Sequence, residues 1–282
     1  MRMEPAVAEP SLKAVLLSPQ RPLGDHPLLV VGPSLGTSSL LWERAASLLG
    51  ADYDVVAWDL PGHGVSPAAA EAFDVTALAD AVVHLVDSIA PGRSFHYAGV
   101  SLGGATGLQL GIEHGDRLRS LSVQCSGARI GTAESWLERA GTVRAQGTPV
   151  LIQGSAQRWF APGFLDREAE LGSRLLHALR DADRFSYAFC CEALAAFDVR
   201  EELGGIRVPT QVIAGALDGV APPSLAGETA EGITAGGGTA TAVTLEGVAH
   251  LAPAEAPAHV AELMRSLISW AESRQGSKEA GA

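Results

Sequence analysis

Aromatic residues make up 5% of this 282-residue chain, and cysteine occurs only three times. Cys125, Cys190 and Cys191 are odd in number and lack metal-ligand spacing, which argues against a disulfide framework or a zinc site. Reduced, buried thiols in a cytoplasmic protein are the expectation. No uninterrupted apolar stretch approaches the roughly 18 to 20 residues that a membrane span requires. The start, Met1-Arg2-Met3-Glu4-Pro5, lacks the apolar core of a secretory signal, so none is expected. Positive charge is also scarce. The net charge of −12 excludes a general attraction for nucleic acid and gives no long-range pull on an anionic substrate. If the substrate is anionic, local arginines must bind it. No His-Glu-x-x-His or comparable pattern occurs, so a metal-free site is expected. Gly236-Gly237-Gly238 lacks the lysine and the strand-to-helix setting of a phosphate cradle, and no cofactor is expected either.

Apolar residues, by contrast, make up 47% of the chain, enough for a large core. Short apolar runs alternate with helical periodicity. Strands are expected at Leu12–Ser18, Leu28–Val31, Tyr53–Trp58, Ser94–Ala98 and Leu118–Val123. Helices are expected at Ser39–Leu49, Val75–Ile89 and Leu102–His114. Such alternation predicts an α/β fold with a mainly parallel sheet flanked by helices. From Ser126 to about Arg200 the alternation stops. Ala133–Gln146, Pro149–Phe160, Arg167–Arg180 and Ser186–Ala196 read as helices, with Gly163 and Gly172 as punctuation. Strands resume at Thr210–Ala214 and Ala240–Leu245, and Pro257–Ser273 reads as a closing helix before a polar tail. The expected division is a core of residues 1–125 and 201–282 with a helical cap, residues 126–200, inserted into it.

Gly99-Val100-Ser101-Leu102-Gly103 sits between a strand and a helix. A Gly-x-Ser-x-Gly in that setting is a nucleophile elbow: the chain reverses sharply, the glycines avoid collision, and the hydroxyl is held up at a helix N-terminus. Two later strands end at Asp218 and His250. A serine hydroxyl needs a histidine to take its proton, and the histidine needs a carboxylate to fix its tautomer and stabilise the imidazolium. The order Ser101, Asp218, His250 is that of α/β-hydrolases, and strand C-termini are where open α/β sheets place their sites. The oxyanion of acyl transfer would be met by two backbone N–H groups, from Leu102 and from Leu35 in the loop Gly32-Pro33-Ser34-Leu35-Gly36. The remaining histidines, His63 among them, receive structural readings.

Beyond the general pattern, the chain resembles the 3-oxoadipate enol-lactonases over about residues 12 to 270. The resemblance rests on Ser34-Leu35-Gly36-Thr37, Asp59-Leu60-Pro61-Gly62-His63-Gly64, Ala128-Arg129-Ile130-Gly131 with Trp136, Arg158-Trp159-Phe160, and Tyr187 to Leu194. Pro209-Thr210-Gln211-Val212-Ile213-Ala214-Gly215 also matches. Leu102 stands where methionine is expected, and Ala252-Pro253-Ala254 where an asparagine-isoleucine pair is usual. The resemblance implies hydrolysis of a small-molecule lactone that bears a carboxylate arm. That arm would need an arginine fork. Arg129 at the cap entrance is the first candidate, Arg158 the second, and Trp136 a candidate wall of the pocket. An esterase for neutral esters, a C–C hydrolase of a ring-cleavage product, or a slow-turnover receptor of the same fold would share the triad. Oligomeric state is not readable from these residues.

Overall fold

The computed structural model describes residues 8–18 and 23–279, with side chains of the last helix described as far as Arg274. The start, Met1 to Pro5, lies outside the described residues. Seven strands form one sheet: β1 (Lys13–Leu16), β2 (Leu28–Gly32), β3 (Asp54–Asp59), β4 (Phe95–Val100), β5 (Leu118–Gln124), β6 (Thr210–Gly215) and β7 (Ala240–Leu245). Their spatial order is β1-β3-β2-β4-β5-β6-β7. Only β1 pairs antiparallel, against β3; every other pairing is parallel. Parallel strands are covered on both faces, so they read as continuous apolar runs. β2, β3, β4 and β6 are buried at every position.

The helices around the sheet are α1 (Glu43–Leu49), α2 (Val75–Ile89) and α3 (Leu102–Glu113). Helix α2 spans the predicted range, because Asp74 caps it by accepting from the Ala77 N–H at 2.8 Å. Between β5 and β6 the α-helices are α4 (Ala133–Gln146), α5 (Ile152–Trp159), α6 (Phe164–Arg167), α7 (Ala169–Asp181) and α8 (Arg184–Ala196). Strands are absent there among the described residues. α4 and α8 are tied by the Arg144–Glu192 ion pair, with Nη2–Oε2 at 2.9 Å. After β6 come α9 (Pro223–Ala235), α10 (Ala252–Glu255) and α11 (Pro257–Glu279).

Several elements differ from the sequence expectation: the short helices α6 and α10 have no expected counterpart, and the expected helix at 149–160 opens with a 3₁₀ turn, Thr148–Leu151. Helix α9 has no expected counterpart either: Gly227 and Gly232 dilute its apolar pattern, and Pro223 at its first turn is the surviving signal. The expected helix at 39–49 opens with a 3₁₀ turn, Ser39–Trp42, before α1. Helix α11 runs past Ser273 to Glu279, so part of the expected tail is helical; residues 280–282 lie outside the described residues.

Candidate active site

Strands β4, β5, β6 and β7 run side by side and parallel, so their C-terminal ends share one edge. Ser101 follows β4 directly, Asp218 lies three residues after β6, and His250 five residues after β7. The fold thereby gathers residues more than a hundred positions apart.

At Ser101 the backbone has φ 55° and ψ −115°. A non-glycine residue there is strained by about 1–3 kcal/mol. Its surroundings over-determine the turn. The Ser101 N–H donates to the Gln124 carbonyl at 3.0 Å, the Ser101 carbonyl accepts from Ser126 Oγ at 2.7 Å, and the Gly103 N–H donates to the Pro33 carbonyl at 3.0 Å. A Cβ on Gly99 would lie 2.1 Å from the Gly103 carbonyl oxygen, and one on Gly103 would lie 2.7 Å from Gly32 and Pro33. Both glycines are therefore obligatory, and the same contacts press the 33–36 loop against the elbow. Leu35 and Leu102 are both buried on either side of that contact.

Asp218 and His250 are buried and bonded to each other, with His250 Nδ1 at 2.8 Å from Asp218 Oδ2. The N–H groups of Val220 and Ala221 donate to Asp218 Oδ1 at 2.7 and 3.0 Å. Three hydrogen bonds thus converge on the carboxylate oxygens. An ionised carboxylate only accepts, so it assigns the proton to His250 Nδ1 and leaves Nε2 as the ring's acceptor. Cys125, itself at φ 46°, links the halves: its N–H donates to Ile213, and its thiol donates to the Ala249 carbonyl at 3.6 Å. Burial raises that thiol well above the usual range, so it stays protonated.

The helical segment closes over this edge. The Trp159 carbonyl accepts from the N–H groups of His250 and Leu251, each at 3.2 Å. Gly36, at φ 84°, has no room for a Cβ beneath Leu179 and Trp159. Gly62 packs against Asp183 and Ser186, and His63 stacks on Tyr187 with ring centroids 6.0 Å apart. His63 is buried, and its Nδ1 donates to the Pro61 carbonyl at 2.9 Å; burial depresses its pKa and keeps it neutral.

The arginine candidates separate. Arg129 is exposed, and its guanidinium faces Asp198 at 3.8 Å, which is also bonded to Arg200. It turns outward, away from the cap entrance expected for it, because Ala128 is pinned to Val199 by a 2.9 Å backbone bond that leaves the next side chain facing Asp198. Arg158 is half-buried next to Trp159. Burial first, and then the neighbouring Arg139 guanidinium, pull it below the ordinary arginine value. Arg139 lies over the Trp136 ring, 4.8 Å from its centroid, and is hydrogen-bonded to Tyr187. Among the described residues neither Arg139 nor Arg158 is ion-paired with a carboxylate. Trp136 is buried, and its Nε1 donates to the Ile130 carbonyl at 2.6 Å, so it anchors α4 and supports Arg139. Sequence reasoning missed Arg139; its signal was the three-residue spacing from Trp136 on one helix.

Two further features lie outside this constellation. An open recess of about 600 Å³, lined by Phe160, Pro162, Leu165, Asp166 and Leu217 among others, borders the seam beyond Asp218 without including the three residues. Asp80 on α2, Glu113 at the end of α3 and His114 just after it bring ligand-type atoms within 4.8 Å of one another, but His114 Nε2 is already bonded to Asp80 at 2.6 Å. No helix among the described residues is long and apolar enough to cross a membrane.

Strands and helices alternating around a mostly parallel sheet, with a serine elbow and a His–Asp pair at one strand edge, define a hydrolase architecture. The chain belongs to the alpha/beta hydrolase family, whose model matches residues 28–263. It is a carboxylic-ester hydrolase. Among similar proteins, 3-oxoadipate enol-lactonase 2 of Acinetobacter baylyi (strain ATCC 33305 / BD413 / ADP1) is 38% identical over 197 residues, 70% of this chain and 73% of that protein. The putative carbamate hydrolase RutD of Variovorax paradoxus (strain S110) is 30% identical over 271 residues, 87% of this chain and 92% of that protein. In structure, the enol-lactonase from Burkholderia xenovorans LB400 superposes with a TM-score of 0.86 at 30% identity, covering 94% of this chain and 99% of that one.

Proposed function

We infer that this protein hydrolyses 3-oxoadipate enol-lactone to 3-oxoadipate through an acyl-enzyme, as a cytoplasmic enzyme of aromatic degradation. Ser101 is the nucleophile, His250 the base and Asp218 the residue that orients it. His250 Nε2 takes the Ser101 proton as Oγ attacks the lactone carbonyl. The Leu35 and Leu102 N–H groups receive the oxyanion. Collapse breaks the ring C–O bond and expels an enolate, a better leaving group than an alkoxide, which takes the proton from His250 and so restores the neutral imidazole. His250 then activates a water to release the acid. Residues 126–200 act as the cap that shields this chemistry from bulk water.

The observation that carries the choice of substrate is the Arg139–Arg158 pair. Two guanidinium groups share a partly buried site in a chain of net charge −12, and no carboxylate among the described residues neutralises them. A ligand carboxylate supplies the missing charge, which favours a carboxylate-bearing lactone over a neutral ester. The similarity to two enol-lactonases supports the same reading. The test is the purified enzyme on the enol-lactone beside p-nitrophenyl acetate, with Ser101→Ala as the blank. Arg158→Leu and Arg139→Leu should each lower kcat/KM on the lactone by about ten- to a hundredfold and leave the neutral ester much less affected. Equal losses on both substrates would transfer the assignment to a neutral-ester esterase.

A further inference from the structure

Glu255 lies five residues beyond His250, at the end of α10, just after the Ala252-Pro253-Ala254 stretch that departs from the enol-lactonase pattern. Its side chain does not reach outward. Oε1 accepts from the Ala249 N–H at 3.0 Å, and Oε2 accepts from the Ala161 N–H at 2.7 Å. Ala249 is the residue before His250, and Ala161 lies in the helical segment two residues after Trp159. The Glu255 N–H meanwhile donates to the Leu251 carbonyl at 3.0 Å, closing the α10 turn on the far side of His250. One carboxylate therefore spans the histidine loop and the cap. It completes a set with the Trp159 carbonyl, which holds the N–H groups of His250 and Leu251. In this arrangement His250 hangs from the cap as much as from β7.

We propose that Glu255 is a positioning residue that locks the His250 loop to the cap and sets a second negative charge beside the imidazolium formed during turnover. The proposal rests on the reading of His250 as the catalytic base. Charge and geometry point the same way. Glu255 is partly buried, and its oxygens are committed to backbone donors of the two segments that must stay in register. The groups facing this corner are Asp218, bonded to His250 Nδ1, and the Cys125 thiol, bonded to the Ala249 carbonyl. Cys125 stays protonated, so the two carboxylates supply the negative charge here. Burial raises the pKa of Glu255 itself, while its backbone donors and His250 oppose that rise. A neutral amide at this position would be wrong twice over. It would remove the charge, and its NH₂ would confront the N–H of either Ala161 or Ala249, leaving a buried donor unpaired.

The test compares Glu255→Gln and Glu255→Asp with the wild type in the full chain. In Glu255→Gln the acid limb of kcat/KM should move to lower pH by roughly 0.5–1 unit, because loss of a nearby negative charge disfavours the imidazolium. kcat should fall by about tenfold or more with a smaller change in KM, because the base is displaced rather than the binding site lost. Glu255→Asp keeps the charge but not the reach, so its acid limb should stay near the wild-type position. The His250 ring titration, followed by ¹⁵N NMR without substrate, should show the same order. That measurement separates this proposal from the substrate reading. A shift in the ring titration with no enol-lactone turnover in the wild type would sink the substrate and keep the lock. Normal turnover with identical titrations in all three proteins would overturn the lock. If Glu255→Gln merely melts earlier while its acid limb and the His250 titration match the wild type, the role is structural only and the proposal fails.

Discussion

In the proposed mechanism His250 works in one orientation, the one its bond to Asp218 selects. The carboxylate is already saturated on Oδ1 by the Val220 and Ala221 N–H groups, so Oδ2 is the oxygen left for the imidazole. Asp218→Asn would place an NH₂ or a carbonyl against Nδ1, and the tautomer that leaves Nε2 basic would no longer be favoured. Turnover should fall by about 10³- to 10⁴-fold while substrate binding, measured by equilibrium titration on a Ser101→Ala background, persists. Full activity in Asp218→Asn would mean that another acid serves. The same scale exposes what single residues concealed. Arg129 and Arg158 are equivalent as letters in a sequence. Only the neighbours of each, Asp198 for one and Arg139 with a buried wall for the other, make the first a surface ion pair and the second an uncompensated cation.

Elements explain why the glycines of this chain are not interchangeable. Gly99 is the penultimate residue of β4, just before the chain turns into α3, and a Cβ there meets backbone, which cannot move aside. Gly99→Ala should cost about 3 kcal/mol or more and lower Tm by several degrees, read by calorimetry at neutral pH. Gly141 lies within α4 and is exposed, and a methyl group added there would meet nothing within 4 Å. Gly141→Ala should raise stability by about 0.5–1 kcal/mol, since the helix no longer orders a glycine. If the two substitutions changed Tm in the same direction, the account of the elbow would be wrong. Helices α2 and α4 were readable to the residue because each combines apolar spacing with a side-chain cap, Asp74 and Thr132. Helix α9 was not, because its glycines weaken the pattern and its helicity is maintained by packing on β6 and β7.

At the scale of the whole molecule, burial of neutral histidines sets an acid limit on stability. His96 sits on β4 with its Nδ1 at 2.8 Å from Ser120 Oγ, and burial, aided by Arg119, lowers its pKa to about 4. Glu272 at 3.6 Å does not offset that burial. The unfolded chain protonates this ring near pH 6.5, so between pH 6.5 and about 4 the unfolded state binds the extra proton. Stability is complete above that window and falls through it, by up to about 1.4 kcal/mol per pH unit and roughly 3 kcal/mol in all. Urea midpoints should decline from about pH 6.5 to 4, and His96→Asn, which keeps a partner for Ser120 but does not titrate, should flatten the slope. An unchanged slope in that variant would assign the acid sensitivity to other groups, His63 first among them.

The chain by itself determined the strand-helix alternation, the elbow at Ser101 and the order of its three chemical residues. These depend on local periodicity, on turn sterics and on which side chains can exchange protons, all of which are written in short stretches of sequence. Tertiary structure alone decided which arginine turns inward, that Trp136 commits its N–H to Ile130, and that Glu255 joins the histidine loop to the helical segment between β5 and β6. Those outcomes depend on contacts between segments as many as 94 residues apart, such as Ala161 with Glu255. A side chain's charge is fixed by its identity, but whether that charge is paired, buried or left waiting for a ligand is set by what the fold brings beside it.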